Sequence, residues 1–218
     1  MKIAVLGTGV VGTTIASKLV DLGHEVTLAS RTADNENAQS WLARMGADKA
    51  KVAAYADAAA AAELLFNCTS GAGSLEALTL AGAHNLANKI LVDVANPLDF
   101  SRGMPPQLSV CNDSSLGEQI QAAFPETKVV KSLNTIAATL MIEPRQLPGE
   151  HVVFMSGNDA DAKRFVEQTI LRDWFGWRAV VDLGDISTAR GTEMYLPLWL
   201  RMWGALKTHM FNIAIVRE

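Results

Sequence analysis

Three glycines near the amino terminus, Gly7, Gly9 and Gly12, have the G-x-G-x-x-G spacing of a turn that can hold a pyrophosphate. The turn GTGVVG leaves the apolar run KIAVL and opens an amphipathic segment, so it joins a buried strand to a helix. Gly7 allows the tight turn, Gly9 lets the backbone approach the phosphates, and Gly12 lets the helix pack closely on the strand. Free N–H groups and the positive end of the helix dipole then face the ligand, which predicts a dinucleotide site.

The residue expected to face the adenosine ribose is Arg31, which lies 24 residues after Gly7, at the end of the second predicted strand, EVTLAS. An acid at this position binds the 2′-hydroxyl of NAD, but residues 26–33 contain no acid. The Arg31 guanidinium offers forked donors to a 2′-phosphate and a planar face to adenine, and Ser30 and Thr32 add hydroxyl donors. The sequence therefore predicts NADP(H) rather than NAD as the cofactor.

The order of the elements predicts the fold class. Apolar runs alternate with helical stretches, and KIAVLG, LLFNC, ILVDVAN and KVVKSLN have the composition of strands buried on both faces. This β-α-β-α order predicts an α/β fold, a doubly wound parallel sheet with right-handed crossovers. After Asn134 the pattern changes, so we expect a nucleotide-binding domain over residues 1–134 and a smaller α/β and helical extension over residues 135–218. The last 33 residues are predicted to hold a long helical stretch.

Composition limits the class of protein. A chain of 218 residues, 49% apolar and 19% charged, is typical of a globular protein with a substantial core. A net charge of −4 without a basic block argues against nucleic-acid and membrane-surface partners. The longest apolar run, MYLPLWLRMWGAL, is too short and too interrupted for a membrane span. No signal peptide is recognisable, and Cys68 and Cys111 are interpreted as free thiols, so we expect a cytoplasmic protein.

Five stretches of the sequence resemble a known family: MKIAVLGTGVVG, LASRT, DVANP, KSLNT and DLGDISTARGTEMY. They are similar to the NADPH-dependent oxidoreductases that use coenzyme F420, a deazaflavin, in a superfamily that includes the reductase domains of the STEAP proteins. The resemblance implies a Rossmann domain with a small C-terminal part that closes one side of a cleft. It also implies that hydride passes in this cleft between NADPH and a small-molecule acceptor, a deazaflavin such as F420 or a flavin.

The resemblance also assigns residues to the cofactor site. It implies contacts with the pyrophosphate by Thr8, Gly9, Val10 and Val11, and contacts with the 2′-phosphate by Ser30 and Arg31. Beside the nicotinamide half it implies the ends of three further strands, at Cys68, Thr69, Ser70, Ala95, Asn96, Pro97 and Asn134. Family members often have a second basic residue shortly after the arginine, and TADNEN has none, which weakens the expected preference for NADP.

No catalytic or metal-binding residue is predicted. Hydride transfer between two rings requires close contact and exclusion of water, and it needs no acid or base from the protein. The four histidines, His24, His84, His151 and His209, stand singly at turns or element ends. They are interpreted as surface or capping residues, with His209 as the strongest exception.

The apolar segment near the C-terminus leaves three interpretations open. Its large side chains lie on more than one face of a helix, so they pack in the core, form a homodimer contact or line the acceptor pocket. They are Leu196, Trp199, Leu200, Met202, Trp203 and Leu206.

Alternative functions also stay open. One is a flavin-mediated reductase of ferric chelates or quinones, and another is a regulator that senses NADP(H) without chemistry. A β-hydroxyacid or imine reductase is disfavoured, because such proteins usually add an all-helical domain that carries a catalytic lysine.

Overall fold

The computed structural model describes residues 1–218, and most of its strands belong to one sheet. The strands are Lys2–Leu6 (β1), Glu25–Ser30 (β2), Ala50–Ala54 (β3), Leu64–Asn67 (β4), Ile90–Asp93 (β5), Leu98–Asp99 (β6), Gln107–Leu108 (β7), Lys128–Ser132 (β8), Val152–Gly157 (β9) and Ala179–Asp182 (β10). Eight of them form a sheet in the order β10-β9-β8-β5-β4-β1-β2-β3, and β6 with β7 forms a separate antiparallel pair.

Helices connect the strands and cover both faces of the sheet. The α-helices are Val10–Asp21 (α1), Glu36–Met45 (α2), Tyr55–Ala61 (α3), Gly71–Ala81 (α4), Ala83–Leu86 (α5), Leu116–Ala123 (α6), Ala138–Ile142 (α7), Ala160–Phe165 (α8), Ala189–Met194 (α9) and Leu196–Leu206 (α10). A π-helical segment, Val166–Trp174, continues α8, and short 3-10 turns lie at Pro144–Gln146 and Ile186–Thr188. None of these helices combines the length and the apolar character that crossing a membrane requires.

The predicted doubly wound parallel sheet is confirmed for six strands. β3, β2, β1, β4, β5 and β8 run parallel, and the chain moves outward from β1 in both directions. The strand order reverses between β1 and β4, so the carboxyl ends of these strands open a crevice in which sheets of this type bind ligands.

The last two strands depart from the parallel pattern. β9 pairs antiparallel with β8, and β10 runs parallel to β9. The reversal arises because the chain after β8 folds α7 against α1 and re-enters the sheet without crossing to its amino-terminal edge. Residues on both sides of position 134 thus share one sheet, and the division into residues 1–134 and 135–218 stays a prediction.

The core has one layer on each face of the sheet. Alternate residues of β1 point to opposite sides, so Ile3 and Val5 pack with α1, α2 and the π-helical segment, whereas Ala4 and Leu6 pack with α3, α4 and α6. The alanine-rich helix α3 is buried through small side chains, as its composition suggests. This two-layer packing leaves the carboxyl ends of the strands as the accessible edge.

The long helical stretch predicted within the last 33 residues is present, and it is divided into two helices. Helices α9 and α10 are separated at Tyr195, and α10 ends at Lys207, which has a left-handed φ of 56°. Pro197 explains the break, because its ring lacks the N–H that a continuous helix would donate to the preceding turn. The following tail has no regular secondary structure, but the Val152 N–H donates to the Ile213 carbonyl at 2.9 Å and so ties the tail to β9.

A cluster of three buried charges lies below the carboxyl ends of the central strands. The Lys131 ammonium on β8 donates to Asp93 Oδ2 on β5 at 2.8 Å and lies 2.7 Å from Glu193 Oε1 on α9. It also donates to the Ala95 carbonyl, and the three charged side chains are at most 1% exposed. Glu193 in turn accepts from two N–H groups at the start of α6, at 2.7 and 3.0 Å. The cluster therefore connects β5, β8, α6 and α9.

The strand register explains how these charges meet. Leu6, Asn67, Asp93 and Lys131 are successive partners across β1, β4, β5 and β8, so they form one row near the carboxyl edge. Asn67 donates from Nδ2 to Asp93 Oδ1 at 2.8 Å and extends the network toward β4. Burial by itself lowers the pKa of the Lys131 ammonium, but the attraction of Asp93 and Glu193 outweighs it, so the pKa is raised and Lys131 stays charged.

Replacement of Lys131 tests the structural role of this cluster. Lys131→Ala should lower the free energy of unfolding by about 3–5 kcal/mol, because two carboxylates stay buried without a cation. Lys51 offers a control, since its pair with Glu25 is exposed, with an N···O distance of 3.7 Å. Lys51→Ala should lower the free energy by about 1 kcal/mol or less. Urea unfolding measures both values, and equal effects would contradict the role assigned to Lys131.

Candidate cofactor site and adjoining cavity

The turn after β1 requires glycine at two positions for packing. Gly7 has a φ of 112°, which favours glycine, and a Cβ there would overlap the Cys68 carbonyl. A Cβ on Gly12 would overlap the Gly7 carbonyl oxygen and would lie 3.5 Å from the Cys68 Cβ. The first turn of α1 therefore packs directly against the preceding turn and against the end of β4.

The N-terminus of α1 is open to a ligand. Gly9 has φ −74° and ψ −176°, no side chain caps the helix, and a Cβ on Gly9 would meet no atom within 4 Å. The first hydrogen bond of the helix runs from the Thr13 N–H to the Gly9 carbonyl at 2.9 Å. The N–H groups before Thr13 have no helical partner. Val10 is exposed beside this turn. Free N–H groups at the positive end of a helix fit a pyrophosphate.

The end of β2 carries the residues predicted to meet the 2′-phosphate. The Ser30 hydroxyl donates to the Thr32 carbonyl at 2.5 Å, so its proton is engaged within the turn. Arg31 extends into solvent, and its Nη2 lies 3.4 Å from Oε2 of Glu76 on α4. The sequence did not indicate this carboxylate, because Glu76 belongs to an element distant in the chain.

Two asparagines join the loops after β5 and β8. Asn96 donates from Nδ2 to the Asn134 carbonyl at 2.8 Å, and Asn134 donates from Nδ2 to Asn96 Oδ1 at 2.9 Å. At Gly71, the first residue of α4, a Cβ would overlap the Asn96 carbonyl, so α4 packs closely on the same loop. These contacts fix the turn Ala95-Asn96-Pro97 relative to Asn134.

A polar network supports the loop after β4. The Thr69 hydroxyl donates to Asn67 Oδ1 at 2.7 Å and lies 2.8 Å from Ser74 Oγ. Because Asn67 also donates to Asp93, the loop is connected to the buried charges. Burial, reinforced by the Asp93 charge, raises the pKa of the Cys68 thiol. Cys68 therefore stays a neutral thiol and packs as an apolar residue rather than acting as a nucleophile.

Two adjoining cavities open beside these loops. The smaller has a volume of about 230 Å³ and is lined by Val11, Cys68, Thr69, Ser70, Gly71, Val94, Ala95, Asn96, Leu98 and Phe100. The larger has a volume of about 420 Å³ and is lined by Val10, Val11, Val94, Asn96, Asn134, Ile136, Ala137, Ala138, Thr139, Met141, Leu196, Trp199, Trp203 and His209. Three residues, Val11, Val94 and Asn96, belong to both linings, so the cavities meet beside the N-terminus of α1.

The larger cavity has a mostly apolar and aromatic wall. Ten of its fourteen lining residues are hydrophobic, and His209 is the one ionisable side chain among them. The rings of Trp199 and Trp203 lie 5.6 Å apart between centroids, and Trp199 lies 5.4 Å from Phe211. The Trp199 indole N–H is buried and has no hydrogen-bond partner.

The C-terminal segment packs on the core and also lines the larger cavity. Leu196 is buried and Trp199 packs on the core, and both also line the larger cavity together with Trp203. Leu198 and Leu206 stay exposed on α10. A homodimer contact through this face stays a prediction.

The structure brings the predicted site residues to one edge of the sheet. The turn after β1 and the loops after β4, β5 and β8 surround the crevice, and residues 30–32 lie at its β2 side. Sequence reasoning missed Asn67, Asp93 and Lys131, which support these loops from below. Their signal was present, because each is a polar residue that directly follows two or more apolar residues near the end of a strand.

Two of the histidines are half-buried and pack against aromatic rings. His24 packs on Trp174 with ring centroids 4.4 Å apart, and His151 packs on Trp177 at 5.1 Å. Burial lowers the pKa of His24, which favours the neutral ring in this contact. Separately, no group of three or more His, Cys, Asp or Glu side chains is arranged to hold a metal ion.

The chain is similar to proteins of one oxidoreductase family. The sequence profile described as "NADP oxidoreductase coenzyme F420-dependent" matches residues 2–97. A provisionally assigned F420-dependent NADP reductase from Arthrobacter sp. FB24, known from a crystal structure, is 56% identical to this chain. The two superpose with a TM-score of 0.93, and the match covers 100% of both chains.

More distant relatives share parts of this architecture. Metalloreductase STEAP3 of Rattus norvegicus is 29% identical over 203 residues, which are 91% of this chain, and the chain spans 38% of the length of that protein. An imine reductase from Myxococcus stipitatus, solved with NADP⁺, is 17% identical with a TM-score of 0.67, and the match covers 95% of this chain and 63% of that one. At this identity the likeness shows the fold alone.

The fold, the open phosphate turn and the relatives together define an NADP-dependent oxidoreductase with a Rossmann domain. The chain belongs to the family of coenzyme F420-dependent NADP oxidoreductases. The family resemblance carried by the sequence motifs is therefore confirmed, and NADP(H) is the cofactor.

Two glycine substitutions separate cofactor binding from folding. Gly9→Ala should change the free energy of unfolding by about 0.5 kcal/mol or less, because its Cβ meets open space. The same substitution should weaken NADPH binding about tenfold or more, because the methyl group enters the predicted phosphate-binding turn (the proposed cradle). Gly12→Ala should lower the free energy of unfolding by about 1–3 kcal/mol through overpacking. Urea unfolding without cofactor and NADPH titration measure the two effects, and wild-type affinity in Gly9→Ala would contradict the proposed cradle.

Proposed function

We propose that the protein passes hydride between NADPH and a flat ring of the deazaflavin or flavin type, with coenzyme F420 as the first candidate, bound in the larger cavity. One observation carries the proposal: the mostly apolar larger cavity shares Val11, Val94 and Asn96 with the smaller cavity beside the phosphate turn. Aromatic and aliphatic walls favour a planar, weakly polar ligand, and a volume of about 420 Å³ lies within the range of small-molecule sites.

The proposed path of the cofactor runs across the crevice. Because β2 and β4 flank β1 on opposite sides, the two halves of a dinucleotide extend to opposite sides of the phosphate turn. We assign the adenosine half to Ser30, Arg31 and Thr32 at the end of β2. The pyrophosphate is assigned to residues 7–12, and the nicotinamide half to the smaller cavity, near Cys68, Thr69, Ser70, Ala95, Asn96, Pro97 and Asn134.

The chemistry assigned to the protein is positioning and shielding. NADPH supplies the hydride when it is bound. Val11 and Val94 offer an apolar surface between the two cavities, which excludes water from the meeting point. The reciprocal Asn96–Asn134 hydrogen bonds hold the two loops at a fixed separation, which favours close contact of the two rings. An apolar wall suits this reaction, because hydride transfer itself needs no acid or base.

A second candidate function is the reduction of ferric chelates through a flavin. It is supported by the similarity to rat STEAP3, a metalloreductase, over 91% of this chain. In this case the flavin would occupy the same cavity and pass electrons to iron held by a chelator. The two candidates differ in the acceptor and in the need for added flavin.

An acceptor panel distinguishes the two candidates. NADPH oxidation is followed with F420, FMN, FAD or a ferric chelate, and NADH replaces NADPH as the control. We expect fast oxidation with F420 and loss of the deazaflavin absorbance, because a flat ring fits the apolar cavity. Ferric reduction that depends on added flavin, with F420 inactive, would favour the second candidate. Failure of every acceptor would contradict both.

A bulky residue in the larger cavity tests the acceptor site directly. Ala138 is half-buried on α7 and lines the cavity, so Ala138→Phe should reduce turnover with the ring acceptor about tenfold or more by filling the volume. NADPH affinity should stay within about twofold, because the phosphate turn is untouched. Ala83→Phe, at the exposed start of α5, is the matched control. Loss of NADPH affinity in Ala138→Phe, with acceptor turnover retained, would refute the assignment of the two cavities.

A further inference from the structure

The adenosine side of the crevice carries an ion pair between Arg31 at the end of β2 and Glu76 on α4. The Nη2–Oε2 distance is 3.4 Å, and a single nitrogen faces a single oxygen, without a bidentate contact. The side chains are 68% and 60% exposed. Such an exposed pair contributes little to stability, so both groups are free to exchange partners with a ligand.

Tyr55, the first residue of α3, follows Ala54, which pairs with Ser30 in the sheet, and α3 packs against α4. Burial is the main reason why the pKa of the Tyr55 phenol is raised, while the Arg31 charge lowers this pKa and the Glu76 charge raises it. The ends of β2 and β3 and the side of α4 therefore bring a guanidinium, a phenol and a carboxylate together. This cluster lies at the side of the crevice to which the adenosine half of the cofactor is assigned.

The positive charge of Arg31 is already paired with a carboxylate, whereas a site dedicated to NADPH offers its basic groups to the 2′-phosphate. Arg31 is the one basic residue in the stretch from Ser30 to Glu36, and Glu76 already partners it. A 2′-phosphate carries negative charge and must take donors from Arg31 in competition with the carboxylate. A 2′-hydroxyl is neutral and can donate to a carboxylate, as it does to the acid of an NAD site.

We propose that Glu76 is a specificity-determining residue: its carboxylate opposes the 2′-phosphate at Arg31 and accepts from the 2′-hydroxyl of NADH, so it reduces the preference for NADPH over NADH. This inference rests on the role assigned to Arg31 in the proposed cofactor path. The acid that the second strand lacks is supplied from α4. Arg31 and Glu76 together set the ratio of the two affinities, each acting in the opposite direction.

Equilibrium titration with NADPH and NADH tests this inference in Glu76→Gln. The substitution removes the charge and keeps the shape, so NADPH affinity should rise about three- to fivefold, the order of effect of exposed ion pairs, while NADH affinity stays equal or falls. The gain for NADPH should decrease at high salt, because exposed charges are screened. Glu25→Gln is the matched control, because Glu25 forms an exposed pair with Lys51 at the other end of β2, with a distance of 3.7 Å.

The NADPH and NADH affinities of Arg31→Ala distinguish an error in the role of Glu76 from an error in the proposed cofactor path. Loss of affinity for NADPH alone in Arg31→Ala, together with the shift in ratio in Glu76→Gln, supports both. If Arg31→Ala loses NADPH selectively but Glu76→Gln leaves the ratio unchanged or matches Glu25→Gln, the role of Glu76 is refuted and that of Arg31 stands. Equal losses of NADPH and NADH in Arg31→Ala overturn both. In the double variant, the effect of Glu76→Gln on NADPH affinity should be smaller. The guanidinium for which the Glu76 carboxylate and the 2′-phosphate compete is then absent.

Discussion

The pairing of Lys131 with Asp93 and Glu193 is the constraint on which the candidate site depends. A cation buried within a sheet must be matched by carboxylates at short range, because an unpaired charge there costs several kcal/mol. Since Asp93 lies on β5 and Glu193 on α9, the match fixes the C-terminal helices relative to the sheet. The strands that carry these charges also end in the loops that line both cavities. Charge pairing in the core thereby determines the shape of the ligand site.

Burial separates two kinds of ion pair in this protein. The ion pairs of Lys131 with Asp93 and Glu193 are buried, and a change of partner would leave a charge unpaired in the core. They therefore hold the connected elements in fixed positions. Arg31 and Glu76 meet in solvent through one long contact and can re-pair with a ligand. The bidentate pair of Arg190 with Glu118 is intermediate: it joins α9 to α6 at 2.6 and 2.8 Å, and its hydrogen bonds lower the pKa of Glu118.

Short-range patterns were sufficient to predict the nucleotide-binding half of the fold. Glycine spacing and apolar runs are patterns within a few neighbouring residues. They were enough to predict the turn at residues 7–12, helix α1 and the parallel strands. The remaining features depend on contacts between residues distant in the chain. The antiparallel entry of β9 and the approach of Glu76 to Arg31 and of Glu193 to Lys131 are of this kind. Pro197 was visible in the sequence, but composition alone did not show that the C-terminal helical stretch divides at Tyr195.

The wall of the larger cavity has three separate origins along the chain, one of which is the segment 134–141 that leads into and includes most of α7. Val10, Val11 and Val94 belong to the segment that the family profile matches, residues 2–97, whereas Trp199 and Trp203 belong to α10. Substitutions on α10 can therefore reshape one side of the cavity while the phosphate turn stays intact. In evolutionary terms the nucleotide half and the acceptor half can diverge at different rates. Under the proposed hydride transfer, a lineage of such proteins can thus keep one electron source and acquire new redox partners through changes in α10.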